Sequence, residues 1–324
     1  MKHYSLYSIP FLLFFAYSCN STVSEIEPKD NNTLHQVVRD NFGLQFLATS
    51  LHKTGISKTL IEAGPFTLLA SSDQAFKDAG YKDPAAVYME DASKLELITK
   101  YHILKSELII SKVKMGYNQP LETLLGTEAY LSKVLYGKDT MLTINGSIVL
   151  QLDTKASNGM MQVINNLLLP NAHKNLLDGL SAISDLSLFY QALKSSGITE
   201  QWKPNEKFTI YAPNNIAMRN AGYSSLEQIV ETPKEKLIDL VEWHICKDQK
   251  FKQDYQFLAT EGKDIYSEKS LNNKDIPISI QNHWRDRRIV DKLSMRIGSQ
   301  YIQPTKYDII TGTGIIHIIG RTFN

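Results

Sequence analysis

Cysteine is nearly absent. Cys19 and Cys246 are the chain's two, too few for a disulfide framework and too differently set to be expected to pair. An excess of either charge is missing as well. With 35 Lys and Arg against 34 Asp and Glu, the formal net charge is +1, which excludes the broad basic footprint of a nucleic-acid binder and the bulk field of an acidic-substrate trap. Any binding surface must be local. No glycine-rich phosphate loop occurs, no nucleophile, base and orienting group stand in a recognisable motif, and no pair of acids recurs at catalytic-looking positions. The chain is therefore expected to be no enzyme and to need no cofactor or metal. Its apolar runs all fall short of the ~20 residues of a membrane-spanning helix.

What is present is the composition of a folded protein: 43% apolar and 21% charged residues in 324, enough for two domains that each bury a core. The N-terminus is set apart from them. Lys2 and His3 precede an apolar run from Tyr4 to Tyr17, interrupted by Pro10 and stopped at Ser18-Cys19, which reads as an export signal. Ala16-Tyr17-Ser18-Cys19 resembles the lipobox of bacterial lipoproteins, with Ala16 and Tyr17 standing where that motif usually has Leu and a small residue. The resemblance implies that Cys19 is acylated and becomes the mature N-terminus, and several acyl chains on one cysteine hold a protein stably to a membrane surface. Residues 20–31 are polar and carry Pro28, as a flexible tether does.

Beyond the tether the chain repeats itself at a constant offset. Leu34 falls on Leu176, Leu51 on Leu193, Gly55-Ile56 on Gly197-Ile198, Phe66-Thr67 on Phe208-Thr209, and His102-Ile103 on His244-Ile245. The second copy is longer by about a dozen residues between His244 and its end, where Gly314 answers Gly159. The expected organisation is a domain over residues 32–171 and a second over 172–324, joined by the short linker Asn171 to Lys174 and so juxtaposed with limited freedom. Each copy reads as helical first, with apolar residues from Leu34 to Leu51 (Leu176 to Leu193) at near-helical spacing and a glycine at the C-cap. Phe66 to Ala70 and Phe208 to Ala212 read as strands ending in turn and cap residues. A brief helix follows, then a longer one through Leu95 to Tyr101 and Leu237 to Trp243, and the remainder is strand. Helices segregated before antiparallel strands make the class α+β.

The residues that carry this repeat resemble two tandem fasciclin domains. Phe66-Thr67-Leu68-Leu69-Ala70-Ser71-Ser72-Asp73-Gln74-Ala75-Phe76 and Phe208-Thr209-Ile210-Tyr211-Ala212-Pro213-Asn214-Asn215-Ile216-Ala217-Met218 match the family's first motif. Tyr101-His102 and Trp243-His244 match its central pair. Asn158-Gly159 through Asn165 and Thr313-Gly314 through Gly320 match its last motif, with Gln162 in the first copy where the second keeps His317. The resemblance implies a strand wedge or sandwich flanked by helices, and an extracellular module of adhesion or surface interaction. It also invites a partner-binding role for Asp308-Ile309, since an Asp-Ile pair at this place is implicated in integrin binding by animal members.

Weighed residue by residue, the repeated histidines read as buried and hydrogen-bonded rather than catalytic, Cys246 as a small core residue, and the last motif as a structural clasp. The stretch His283-Trp284-Arg285-Asp286-Arg287-Arg288 has no counterpart in the first copy. There Trp284, with Arg285, Arg287 and Arg288, forms a candidate contact for a partner or a glycan. The expected function is that of a membrane-anchored surface lipoprotein, exported and held at a bacterial outer membrane or cell surface, that meets a surface or extracellular protein. A polysaccharide is the second possibility, in which case the protein serves an outer-membrane nutrient-uptake system. Membrane contact is expected through the lipid only, and nucleic acid is not an expected partner.

Overall fold

The computed structural model describes residues 32–171, 173–259, 264–282 and 289–323. In the first domain α1 (Leu34–Arg39) and α2 (Gln45–Lys53) precede β1 (Phe66–Ser71), α3 (Asp73–Asp78), α4 (Pro84–Met89), α5 (Ala92–Tyr101) and β2 (Ile103–Leu104). A meander follows: β3 (Gly116–Glu122), β4 (Glu128–Tyr136), β5 (Asp139–Ile144), β6 (Ser147–Ala156) and β7 (Gly159–Ile164). The first helical stretch is two helices rather than one continuous run, broken at Asn41 to Gly43, where the Asn41 side chain accepts from the Gly43 N–H at 2.9 Å. Such a local bond competes with the helix ladder and ends it. Gly55, in the left-handed region at φ 71°, ends α2 one residue past its cap. Ser72 caps α3 by accepting from the Ala75 N–H.

The strands run in the order β2-β1-β7-β6-β5-β4-β3. All neighbours are antiparallel except one pair. β7 lies parallel to β1, with Phe66 opposite Gly159 and Ser71 opposite Ile164. The antiparallel expectation is thus corrected to a mixed sheet: the helices between β1 and β7, with the meander, act as one long crossover, which a parallel neighbour requires. β6 shifts register twice, between Val149 and Gln151 and between Gln151 and Thr154. Bulges bend a strand, and this bent strand joins the two leaves of a wedge. Leu69, Tyr101, Leu131, Ile144 and Ile164 fill the inside of the wedge. Leu47, Leu51, Leu68, Phe76 and Leu95 pack the helices on its other face.

The second domain repeats the plan through α6 (Leu176–Ala182), α7 (Ser187–Ser196), β8 (Phe208–Pro213), α8 (Asn215–Asn220), α9 (Leu226–Glu231), α10 (Lys234–Trp243) and β9 (Ile245–Lys247). It continues with α11 (Asp254–Leu258), β10 (Ile265–Lys269), β11 (Asp275–Asn282), β12 (Val290–Ile297), β13 (Gln300–Ile302), β14 (Pro304–Thr311) and β15 (Gly314–Ile319). Here the wedge is two separate sheets, β10-β11-β12-β13 and β14-β15-β8-β9. Pro304 stands where the first domain has Val149, each opposite the last residue of its parallel strand. Lacking an N–H, proline starts a strand more readily than it continues one, so the run that is one strand in β6 is split between β13 and β14. The extra length of this domain includes α11, where the first domain has only the short turn Ile110–Lys112.

α11 and the loop before it hold the domains together. Phe251 is buried with Tyr130 and Ile315, one cluster drawn from both domains. A second joins Val134, Met141 and Ile148 to Phe257 and Ile289, and Gln256 donates to the Tyr136 hydroxyl at 2.9 Å. Gly146 lets the first domain approach, because a Cβ there would stand 2.8 Å from the Phe251 Cβ.

Candidate functional site

Three sets of repeated polar residues define the working parts of each domain. The threonine of each Phe-Thr pair pins the chain leaving β2 or β9. Thr67 donates to the Ser106 carbonyl and accepts from the Leu108 N–H, both at 2.7 Å. Thr209 does the same for Asp248 and Lys250, at 2.8 and 2.9 Å. The loop Asp248 to Lys250 is thereby fixed from inside the domain.

The central histidines are buried, 1% exposed at His102 and 0% at His244. Nε2 of His102 accepts from the Leu168 N–H at 3.1 Å, and Nε2 of His244 from the Phe323 N–H at 2.8 Å. An accepting Nε2 carries no proton, so each ring is the neutral tautomer whose Nδ1–H donates one turn back, to Ile98 and Leu240 carbonyls at 2.8 Å. Burial accordingly lowers both imidazoles to a pKa of about 4. The Ser71 hydroxyl adds a bond to His102 at 2.9 Å. Its counterpart is Pro213, and His244 instead stacks on Phe323 with ring centroids 4.5 Å apart. The preceding aromatics differ too. Tyr101 donates from its hydroxyl to the Glu128 carbonyl at 2.9 Å and accepts from Asn145 at 2.7 Å, while half-buried Trp243 lies under the Lys274 ammonium, 3.9 Å from its ring centroid.

The last motif is a clasp at both ends. Asn158 accepts from the Leu34 N–H at 2.9 Å and donates to the Leu60 and Glu62 carbonyls, and Thr313 accepts from the Leu176 N–H at 3.0 Å. Each closing motif thus satisfies the first N–H of its domain's first helix, beside the local caps at Thr33 and Asn175. At Gly159 and Gly314, φ is 157° and 151°, and a Cβ would stand 2.1 and 2.0 Å from the carbonyl oxygens of Phe66 and Phe208. Glycine is required there by the close approach of the parallel neighbour.

Gln162 and His317 perform one task with different chemistry. His317 Nε2 donates to the Lys250 carbonyl at 3.1 Å while Nδ1 accepts from the Asp308 N–H at 3.2 Å. Gln162 donates to the Leu108 carbonyl at 3.2 Å and accepts from the Asp153 N–H at 2.9 Å. Asp153 and Asp308 are both left-handed, at φ 51° and 54°, inside bulges rather than in turns. Asp308 accepts from the Lys252 N–H at 2.7 Å, burial raises its carboxyl above the ordinary range, and burial lowers His317. Ile309 is half-buried against the core of the second domain. Together Asp308 and Ile309 line a groove of about 360 Å³ facing Leu167 to Pro170 of the first domain. Cys246 is fully buried. Cys19 and the stretch Trp284 to Arg288, with Arg285 and Arg287, lie outside the described residues.

Sequence reasoning did not foresee the larger cleft between the domains, about 530 Å³, which no single repeat contains. β3 and β4 form one wall, with Tyr117, Pro120 and Tyr130, and the pinned loop and α11 form the other, with Gln249, Asp254 and Leu258. Asn118, left-handed at φ 48°, crosses the seam to donate to the Gln249 carbonyl at 2.6 Å. The length difference between the repeats was its one sequence signal. Among the described residues no three His, Cys, Asp or Glu side chains converge to hold a metal ion.

A family model for the fasciclin domain matches residues 43–170 and again 184–323. The chain belongs to the fasciclin domain family. Fasciclin domains are modules of adhesion and protein–protein interaction, and this chain carries two in tandem. Relatives include transforming growth factor-beta-induced protein ig-h3 of Sus scrofa, 30% identical over 222 residues that cover 67% of this chain and 30% of the relative. Protein sll1483 of Synechocystis is 28% identical over 47% of this chain and 81% of its own length. Human periostin is 24% identical over 82% of this chain and 28% of its own. The chain thus spans about a third of the animal relatives. A solved FAS1 domain pair from the insect cell adhesion molecule fasciclin I covers 86% of this chain and 96% of its own, at 18% identity and a TM-score of 0.40.

Proposed function

We propose that this fasciclin pair is a non-enzymatic, exported lipoprotein, anchored through Cys19 at a bacterial outer membrane or cell surface, which mediates attachment or protein–protein contact. One observation carries the reading. The repeated polar residues, the threonines, His102, His244, Gln162 and His317, are spent on holding backbone in place, which leaves surface complementarity rather than a reactive centre as the means of action. The polar composition of residues 20–31 supports it, since a lipid at Cys19 needs a spacer for the domains to reach a partner.

Two experiments test the proposal. In a bacterial host fed a clickable fatty acid, the full chain should be labelled and sediment with membranes, and Cys19→Ala should be unlabelled and released. Equal labelling or equal sedimentation would remove the anchor. Residues 32–324, immobilised and offered extracellular proteins and a glycan array, should capture a protein saturably. Capture of oligosaccharide alone, lost on joint replacement of Trp284 and Arg287, would replace adhesion by the uptake reading.

A further inference from the structure

We propose that the cleft between the domains binds a protonated amine or guanidinium carried on a compact apolar body, its charge set against Asp254, Asn118 and Gln249 and its body against Tyr117, Pro120 and Leu258. The acceptors come first. Asp254 is 1% exposed and Gln249 4% exposed. Asp254 accepts from the Phe251 N–H through Oδ2 at 2.8 Å and has the Asn118 amide beside it, while its Oδ1, the Gln249 Oε1 and the Asn118 Oδ1 are buried and none completes a hydrogen bond. A desolvated carboxylate with half its capacity unused is costly, and here it lines a cavity large enough for a small ligand.

The sign of the ligand follows from the cations nearby. Lys207 donates to the Tyr130 hydroxyl at 3.2 Å and the Gly312 carbonyl at 2.5 Å. Lys250 donates to the Lys247 carbonyl at 2.7 Å and lies 3.3 Å from Glu268. Each ammonium is thus held by two protein partners, Lys250 by the Glu268 carboxylate among them, while the three buried oxygens have none. Glu128 and Asp248 also line it, so three carboxyl groups stand against two lysines, of which Lys250 is already paired with Glu268, and an anion is disfavoured. A bare metal ion is not what the cleft is built for, because no three ligating side chains converge among the described residues. An organic cation satisfies the acceptors and uses the apolar wall, with the Tyr117 ring available to its charge.

Burial pushes the Asp254 carboxyl up to about 7, and nearby Asp308 adds to the rise. The Phe251 N–H, the Asn118 amide and Lys250 oppose it, and Tyr117 faces the carboxyl with a raised hydroxyl pKa of its own. A cation that needs the ionised form should bind about tenfold more weakly at pH 6 than at pH 8.

The inference does not depend on the adhesion reading, because it is tested with small probes on the purified domain pair. Calorimetric titration of residues 32–324 with benzylamine, with N-acetyl-lysine methylamide and with N-acetyl-arginine methylamide should give saturable one-site binding to at least one, and none to benzyl alcohol. Benzylamine alone binding identifies a free amine as ligand; the peptide amides alone binding identify a side chain of a protein partner. Asp254→Asn should weaken binding at least tenfold and abolish its pH dependence. Tyr117→Ala, at an exposed wall position, should weaken it several-fold and decides the matter if Asp254→Asn does not fold. No saturable binding of any cation, equal binding of benzyl alcohol, or unchanged affinity in the folded variants would overturn the proposal.

Discussion

Gln162 and His317 show how far one amide imitates one imidazole. Each donates to a carbonyl of the loop after its β2 or β9 strand and accepts from the N–H of a left-handed aspartate. His317→Gln should therefore cost under about 1.5 kcal/mol, whereas His317→Leu, which strands a buried donor and acceptor, should cost about 3 kcal/mol. Urea titration of the two variants separates these outcomes. The histidines also set a pH dependence. In the unfolded chain His102 and His244 titrate near 6.5, and in the fold near 4, so the unfolded state takes up protons first as pH falls. Their contribution is complete above pH 6.5 and lost between 6.5 and 4, about 3 kcal/mol each. Asp254 works the other way, since its raised carboxyl binds the proton more tightly in the fold. Asp254→Asn should steepen the acid loss of stability, measured as urea midpoints from pH 7 to pH 4.5. The burial of the histidines was legible from their place at the end of an apolar helix. The Asp153 and Asp308 geometry was not, because a bulge depends on register with a partner strand and leaves no local pattern.

Among the elements, those with strong local chemistry were readable and those decided by pairing were not. The caps Ser72 and Asn214 announced α3 and α8. The six-residue helices α4 and α9 escaped notice although Asp83-Pro84 and Ser225 supply the same kind of signal, because so short an apolar pattern has no periodicity to measure. The parallel pairing of β1 with β7 was invisible for a different reason. A buried apolar strand reads alike in either direction, and only the glycine before it hints at close contact. Gly314→Ala should cost roughly 3 kcal/mol, since a methyl must enter the space of the Phe208 carbonyl from a backbone conformation alanine avoids. A drop in thermal midpoint of only a degree or two would show that the strands separate cheaply.

At the scale of the molecule, the duplicated sequence correctly implied two similar domains but said little of what joins them. The seam is made by residues the repeats do not share, Phe251 and α11 on one side and Gly146 with the Tyr130 wall on the other. Phe251→Ala should cost the coupled pair about 3–5 kcal/mol and convert a single calorimetric transition into two. A second transition already present in the unaltered chain would mean that the domains melt independently.

The parallel pairing that places β7 beside β1 and β15 beside β8 has a bearing on how the chain is assembled. Synthesis delivers each domain from its N-terminus, yet an interior strand of the sheet is the last segment to emerge. Until it does, the first N–H of the first helix lacks its acceptor and the first strand lacks one neighbour. Such long-range closure folds slowly and leaves apolar surface waiting. Each domain is consequently an all-or-nothing object in time as well as in space, and a nascent chain stalled short of Gly159 or Gly314 presents an open sheet to chaperones and proteases.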